Sequence, residues 1–168
     1  MKRDTRSVLI LKDGMEESIS GGRRVKNTRP TINSYMYANA VALSAMSSLL
    51  NVDSLRIKYD YKATRLKFQT QNLLWNDSAS FFEVRLENGK LSNVREAIGF
   101  IPWYFNLPDD DSRYAKAWDQ LTDTAGFNAP WGLTTAERRH PQFRSHGVGT
   151  CEWDGAVWPF ATTQTLKG

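Results

Sequence analysis

Apolar positions along the chain change character twice. Between residues 31 and 51, Tyr35, Met36, Ala40, Val41, Met46 and Leu49 leave almost no polar side, which predicts a helix apolar nearly all round. Such a helix belongs in an interior layer, where Ala and Ser residues let neighbours approach closely. Pro30 and Thr31 suit its entry, and Asn51 its end. Over residues 54–75, Leu55, Tyr59, Ala63, Leu66, Thr70 and Leu73 recur at helical spacing, while Arg56, Lys58, Lys62, Arg65 and Lys67 fall mostly on the other side. That pattern predicts an amphipathic outer helix with Asp53 as its cap. The very short turn between the two makes an αα-hairpin.

Past Trp75 the helical period stops. Residues 81–86 are rich in β-formers, and Glu87-Asn88-Gly89-Lys90 carries an Asn-Gly turn signal, so a β-hairpin is expected. Short helices are expected near 93–98 and 111–122, with Asp109-Asp110-Asp111 as the cap before Ser112. A calcium loop would need further ligands at fixed spacing. Residues 123–157 are dense in Gly, Pro and Trp and read as a long ordered loop. A last helix begins near Val157 and has run few turns at Gly168. The expected fold is mainly α, with a small β-hairpin and long ordered loops.

Composition narrows the chemistry. The 168 residues are 40% hydrophobic and 12% aromatic, which suits one folded unit rather than disorder. Six Trp supply either core or flat platforms for sugar rings. A net charge of +4, with its densest basic run at Arg23-Arg24-Val25-Lys26, gives no nucleic-acid stripe. Cys151 is the sole cysteine, so neither an intrachain disulfide nor a cysteine zinc site is available. His140 and His146 lack the helical spacing of a paired metal site, so no metal and no other cofactor is expected. The run Val8-Leu9-Ile10-Leu11 is too short for a leader's apolar core, and no stretch has transmembrane length, so no membrane partner is expected. No Gly-x-Ser-x-Gly occurs, and Gly21-Gly22 follows no clear strand, which removes a serine hydrolase elbow and a phosphate-cradling loop.

Five segments, in order, carry a family resemblance. They are Asp13-Gly14-Met15-Glu16-Glu17-Ser18 with residues 29–37, Leu74-Trp75 with Phe81-Phe82, residues 99–108 (GFIPWYFNLP), residues 132–139, and residues 153–162 (WDGAVWPFAT). Together they resemble the mannosylglycerate-hydrolase-like glycosidases. The last echoes a W-x-G-x-x-W-P segment shared with processing α-glucosidases and trehalase-like enzymes. The resemblance runs from about Leu11 to the end and implies an (α/α)6 toroid, of which residues 1–168 would be an incomplete segment. Residues 1–10 are expected to be poorly ordered or not the native start. Asn39 and Asp154-Gly155-Ala156 depart from the commoner Asp and Asn-Gly-Pro, which touches substrate contacts rather than the fold.

The resemblance implies inverting hydrolysis of an α-linked sugar. Inversion needs a protonated acid at the leaving oxygen and a base for water on the opposite face, about 6.5–9.5 Å apart. The acid resembles the carboxylate of a Gly-Met-Asp segment, which here reads Gly14-Met15-Glu16, so Glu16 is the candidate general acid and Asp13 the fallback. An acidic loop pair, Glu16-Glu17, is equally what a solvated loop carries. In relatives the base lies beyond the stretch present, so the chain alone is expected to be inactive and to need the C-terminal part of its own domain as partner.

Trp103, Trp131, Trp153 and Trp158 are candidate platforms for a carbohydrate, against the alternative of core packing; Trp75 and Trp118 read as packing. Glu137 and Arg138 either lie in the first turn of a short helix capped by Thr134-Thr135 or hold sugar hydroxyls. Rival readings are a non-catalytic carbohydrate-binding remnant and a purely structural helical module.

Overall fold

The computed structural model describes residues 15, 17–21, 26–145 and 151–167. Residues 1–10, Asp13, Gly14, Glu16, the 22–25 run and His146 lie outside the described residues. Strand β1 (Asn27–Thr28) leads into helix α1 (Pro30–Leu49), and α2 (Asp53–Leu74) returns antiparallel beside it. Pro30 opens α1 at a position where its missing N–H costs nothing. Asn51, at φ +55°, closes it: Asn51 N–H donates to Ser48 O and Val52 N–H to Ser47 O, so the last carbonyls are satisfied by a left-handed cap. Asp53 is not the cap of α2 but its first residue. Val52 precedes it, and the Asp53 carboxylate, an acid in the first turn, pairs with Arg56 at 3.2 Å.

The face α1 turns to α2 is small and polar. Ala40, Ser44 and Ser47 are buried, and Ser44 Oγ donates to Asp60 of α2. The larger apolar residues of α1 lie elsewhere: Met46 is 57% exposed and Leu49 83%. Among the described residues the interior environment expected for this helix is supplied by α2 and, toward its start, by residues 97–105, while its later apolar side chains stay open. Its uniform apolar pattern is that of a helix with more neighbours than α2 alone. On α2, Ala63, Leu66 and Thr70 are buried as the period predicts, while Leu55 is exposed near the turn.

Beyond α2, the predicted hairpin is rearranged. Strand β2 (Trp75–Asn76) pairs with β3 (Phe81–Phe82), and β4 (Arg85–Leu86) pairs with β1 rather than continuing β3. Glu83 breaks the run, its N–H bonding Leu74 O and its side chain turning inward. The Asn88-Gly89 turn does form, with Gly89 at φ +81° and Leu86 N–H bonded to Lys90 O at 2.8 Å. A 3-10 turn (Ala97–Phe100) and α3 (Ile101–Tyr104) follow, then α4 (Ser112–Ala115) with a 3-10 extension to Leu121. Asp111 caps α4 by accepting from Arg113 N–H at 2.9 Å. Strands β5 (Asn128–Ala129) and β6 (Gly132–Leu133) form a tight hairpin, and α5 (Pro159–Thr165) packs against α3.

No helix follows Thr134-Thr135. Residues 134–137 are extended and wedged between two other segments: Ala97 N–H donates to Thr135 O, Glu137 N–H to Arg95 O, and Thr135 N–H to Ala156 O. Cross-chain pairing supplies the backbone partners that a helix would otherwise have supplied.

Two apolar clusters hold these pieces together. Trp75, Phe81, Phe82, Phe100, Tyr114 and Phe127 form an aromatic one, with edge-on contacts such as Phe81–Phe100 at 4.8 Å. Gly99 lets it close, since a Cβ there would stand 2.2 Å from the Phe81 ring and 2.3 Å from Phe82 O. Met15, Val84, Ile98 and Ile101 form the second, and Trp153 packs against both. No helix among the described residues is long and apolar enough to cross a membrane.

Candidate functional site

Segments from near the start and the end of the described residues meet at one cleft. Met15, from the loop before α1, lines a cavity of about 360 Å³ together with Tyr35 of α1, Ile98, Trp153, and Phe160 and Gln164 of α5. Gln164 Nε2 donates to the Tyr35 hydroxyl, joining the two helices. Gln164 Oε1 and Thr31 Oγ1, also at this wall, are buried without a hydrogen-bond partner among the described residues. No charged side chain is among the described residues lining the cavity. Aromatic walls with a few polar groups are what a neutral, partly apolar ligand meets in such clefts.

Trp153 is held by its loop. Glu152 sits at φ +52°, Asp154 pairs with Arg144 at 2.9 Å, and Gly155 lies where a Cβ would be 2.1 Å from Arg144 O. Trp158 stacks on Trp153 with centroids 5.5 Å apart and planes within 4° of parallel, and its Nε1–H donates to Cys151 O at 2.6 Å. Both indoles are half-buried.

The other candidate residues lie elsewhere. Trp103 sits among Trp75, Phe82, Phe100 and Trp118. Trp131 stands 91% exposed at the β5–β6 turn, beside a separate cleft of about 290 Å³. Glu137 is buried, with one oxygen on Arg95 N–H and the other 2.8 Å from the Arg95 guanidinium. Arg138 donates to the carbonyls of Thr124 and Asn128. Glu16 and Asp13 lie outside the described residues, so Met15 and Glu17 mark their neighbourhood. Among the described residues, no three His, Cys, Asp or Glu side chains gather as a metal site.

The pattern of the sequence missed Tyr35, Gln164, Arg29 and Glu96. Tyr35 read as one more apolar helix position, and nothing around Gln164 or Glu96 marked either. Arg29 is 2% exposed; it donates to Asn27 Oδ1, Ser18 Oγ and Gly21 O and contacts Met15 Sδ. Glu96, also 2% exposed, accepts from Ser20 N–H at 3.2 Å and from Ser20 Oγ–H.

Burial pushes the Glu96 carboxyl above its ordinary value, against the lowering effect of the Ser20 bonds and the Arg29 charge. A carboxyl raised in the fold contributes stability that is full below the ordinary value of 4.5 and is lost as pH rises through the raised one. Glu96→Gln removes this titration. We expect the decline of Tm with rising pH above 4.5 to be shallower in that variant than in the parent. Parallel Tm–pH curves would contradict the assignment.

Comparisons with known proteins give the setting. The model of a family described as the mannosylglycerate hydrolase MGH1-like glycoside hydrolase domain matches residues 2–168. Among solved structures, the chain is similar to a sialidase at 59% identity and TM-score 0.89, over 92% of this chain and 14% of that one. It is similar to the GH63 mannosylglycerate hydrolase from Thermus thermophilus in complex with glucose at 19% identity and TM-score 0.72, over 86% of this chain and 33% of that one. An uncharacterized conserved protein from the same organism gives 20% identity and TM-score 0.71, over 84% and 34%. No curated protein matches. The likeness to the Thermus structures shows the fold: the described helices are a mainly α part of a helical toroid. The chain spans about a third of the Thermus hydrolase and 14% of the sialidase.

Proposed function

This chain belongs to the mannosylglycerate hydrolase MGH1-like glycoside hydrolase domain family, and we propose on that footing that it is the part of an inverting hydrolase carrying the general acid for an uncharged, α-linked sugar. Glu16 protonates the leaving oxygen, and a base from the portion of the domain that this chain does not span activates water on the other face. Without that portion the segment binds sugar and does not turn it over.

The observation that carries the reading is the meeting of two distant motifs. Met15, next to the proposed acid, and Trp153 and Phe160, from the far segment, share one aromatic cleft. A sugar's C–H face suits Trp153, and a hydroxyl would meet Gln164 after a small side-chain adjustment. The sialidase's name suggests a carboxylate-bearing sugar, but the matched stretch is 14% of that protein, and the described lining of this cleft holds no cation for a carboxylate. The Thermus hydrolase was crystallised with glucose, a neutral sugar of the kind this lining suits, and in another complex with Tris and D-glycerate.

The test is proton NMR on the full-length protein with a panel of α-linked glucosides, mannosides and galactosides. We expect hydrolysis of at least one, with the β-anomer appearing first. First appearance of the α-anomer excludes inversion, and hydrolysis of sialosides alone overturns the neutral-sugar assignment. No hydrolysis of any panel member overturns the reading as a whole.

A further inference from the structure

Two buried, oppositely charged side chains from distant elements make hydrogen bonds to one short loop. Glu96 precedes the 3-10 turn, and its backbone is already fixed: Gly99 N–H donates to Glu96 O, and its neighbour Ala97 N–H to Thr135 O. Its carboxylate is not needed to hold its own element, and it reaches 76 residues back in the chain to the N–H and hydroxyl of Ser20. Arg29 sits at the entry of α1 and makes no side-chain cap there. Its guanidinium turns to Ser18, Gly21 and Met15 Sδ. Among the described residues the loop's own bonds are local: Ser18 N–H to Met15 O at 3.4 Å, Gly21 N–H to Ser18 O at 3.0 Å, and the Ser18 hydroxyl to Met15 O and Gly21 O at 3.1 Å each.

We propose that Glu96 and Arg29 are positioning residues: they clamp Met15 and residues 17–21, the described flanks of Glu16, and thereby fix the acid that the reading above assigns to that position. The inference rests on the reading of Glu16 as general acid given above. Burying a carboxylate and a guanidinium is costly unless their bonds are well made. Here those bonds converge on the flanks of the residue whose placement the chemistry needs. Met15 is pinned from both sides, by Arg29 at its sulfur and by Val84, Ile98 and Ile101 around its side chain. A general acid works only within hydrogen-bond reach of the departing oxygen, so a loop free to drift would lose it.

The experiment uses the full-length protein and two α-glucosides, one with methanol and one with 2,4-dinitrophenol as leaving group. Methanol needs protonation to depart and dinitrophenolate does not, so loss of acid assistance slows only the first. Glu16→Gln should show this selective loss. Glu96→Ala should show it too, with kcat on the methyl glucoside down by about tenfold or more and KM nearly unchanged. Glu96→Gln should recover most of that rate, since its amide accepts from Ser20 N–H and donates to Ser20 Oγ. In parallel, amide exchange over residues 17–21 should quicken by about tenfold in Glu96→Ala, with α2 unchanged.

Equal slowing of both glucosides by Glu16→Gln removes Glu16 as the acid and the proposed function with it. Selective slowing by Glu16→Gln with unselective slowing, or none, in Glu96→Ala overturns the positioning role alone. Unchanged exchange at 17–21 overturns it even where neither glucoside is turned over.

Discussion

Glu16→Gln in the full-length protein is expected to lower kcat on an unactivated glycoside by about 10²–10⁴-fold while leaving sugar binding within about twofold. The amide is nearly the size of the carboxyl, but it has no acidic proton to give. A poor leaving group must then depart as an alkoxide. The loss therefore falls on kcat, because the interaction removed exists only in the transition state. Sugar binding is read from quenching of tryptophan fluorescence, since Trp153 lines the cleft and stacks on Trp158. Near-normal turnover by Glu16→Gln would move the acid elsewhere, first to Asp13. Loss of binding together with turnover would instead place Glu16 among the sugar contacts. The two outcomes separate because the proposed sugar contacts, Tyr35, Trp153 and Gln164, are all still present in the variant.

The helical hairpin was legible because its signals are local. Period, Pro30 at the entry and Asn51 at the turn each act within a few residues, and α1 and α2 fall within two residues of their expected bounds. The Asp111 cap was legible for the same reason. What failed was decided at long range. Residues 134–137 read as a helix start because Thr and Glu at that spacing make a capping box, yet their backbone is captured by residues 95–97 and 156. The β-run at 81–86 split because Phe81–Phe82 pair with Trp75–Asn76 while Arg85–Leu86 pair with Asn27–Thr28. The site divides likewise. Motif resemblance pointed to the Met15 and Trp153 segments, which the fold brings to one cleft. Glu96 and Gln164 had no local mark at all, because their meaning lies in Ser20 and Tyr35, 76 and 129 residues away.

Arg95→Leu should cost about 3–5 kcal/mol, the largest stability effect expected among single polar substitutions here. Arg95 is 18% exposed and Glu137 5%, so the pair lies largely out of water. The guanidinium holds Glu137 at 2.8 Å and also donates twice to Ala79 O. Removing it leaves a buried carboxylate with the Arg95 N–H and a longer contact to Arg139 at 3.4 Å. Glu83, nearby, already has its carboxyl raised by burial, with Glu137 adding to the rise and Arg95 lowering it. Loss of Arg95 therefore takes the nearest cation from Glu137 and a smaller favourable charge from Glu83, which keeps its bonds from Asn76 and Asn93. The double variant Arg95→Leu, Glu137→Leu should lose less than the single one, since it leaves one fewer buried charge unpaired. Native-state amide exchange of residues 95–97 and 135–137 reads the opening free energy directly in the full-length protein. A single-variant cost below about 1 kcal/mol would mean that the pair behaves as a solvated one. A large cost, relieved in the double variant, makes Glu137 a strut between two extended segments, with both oxygens committed to Arg95.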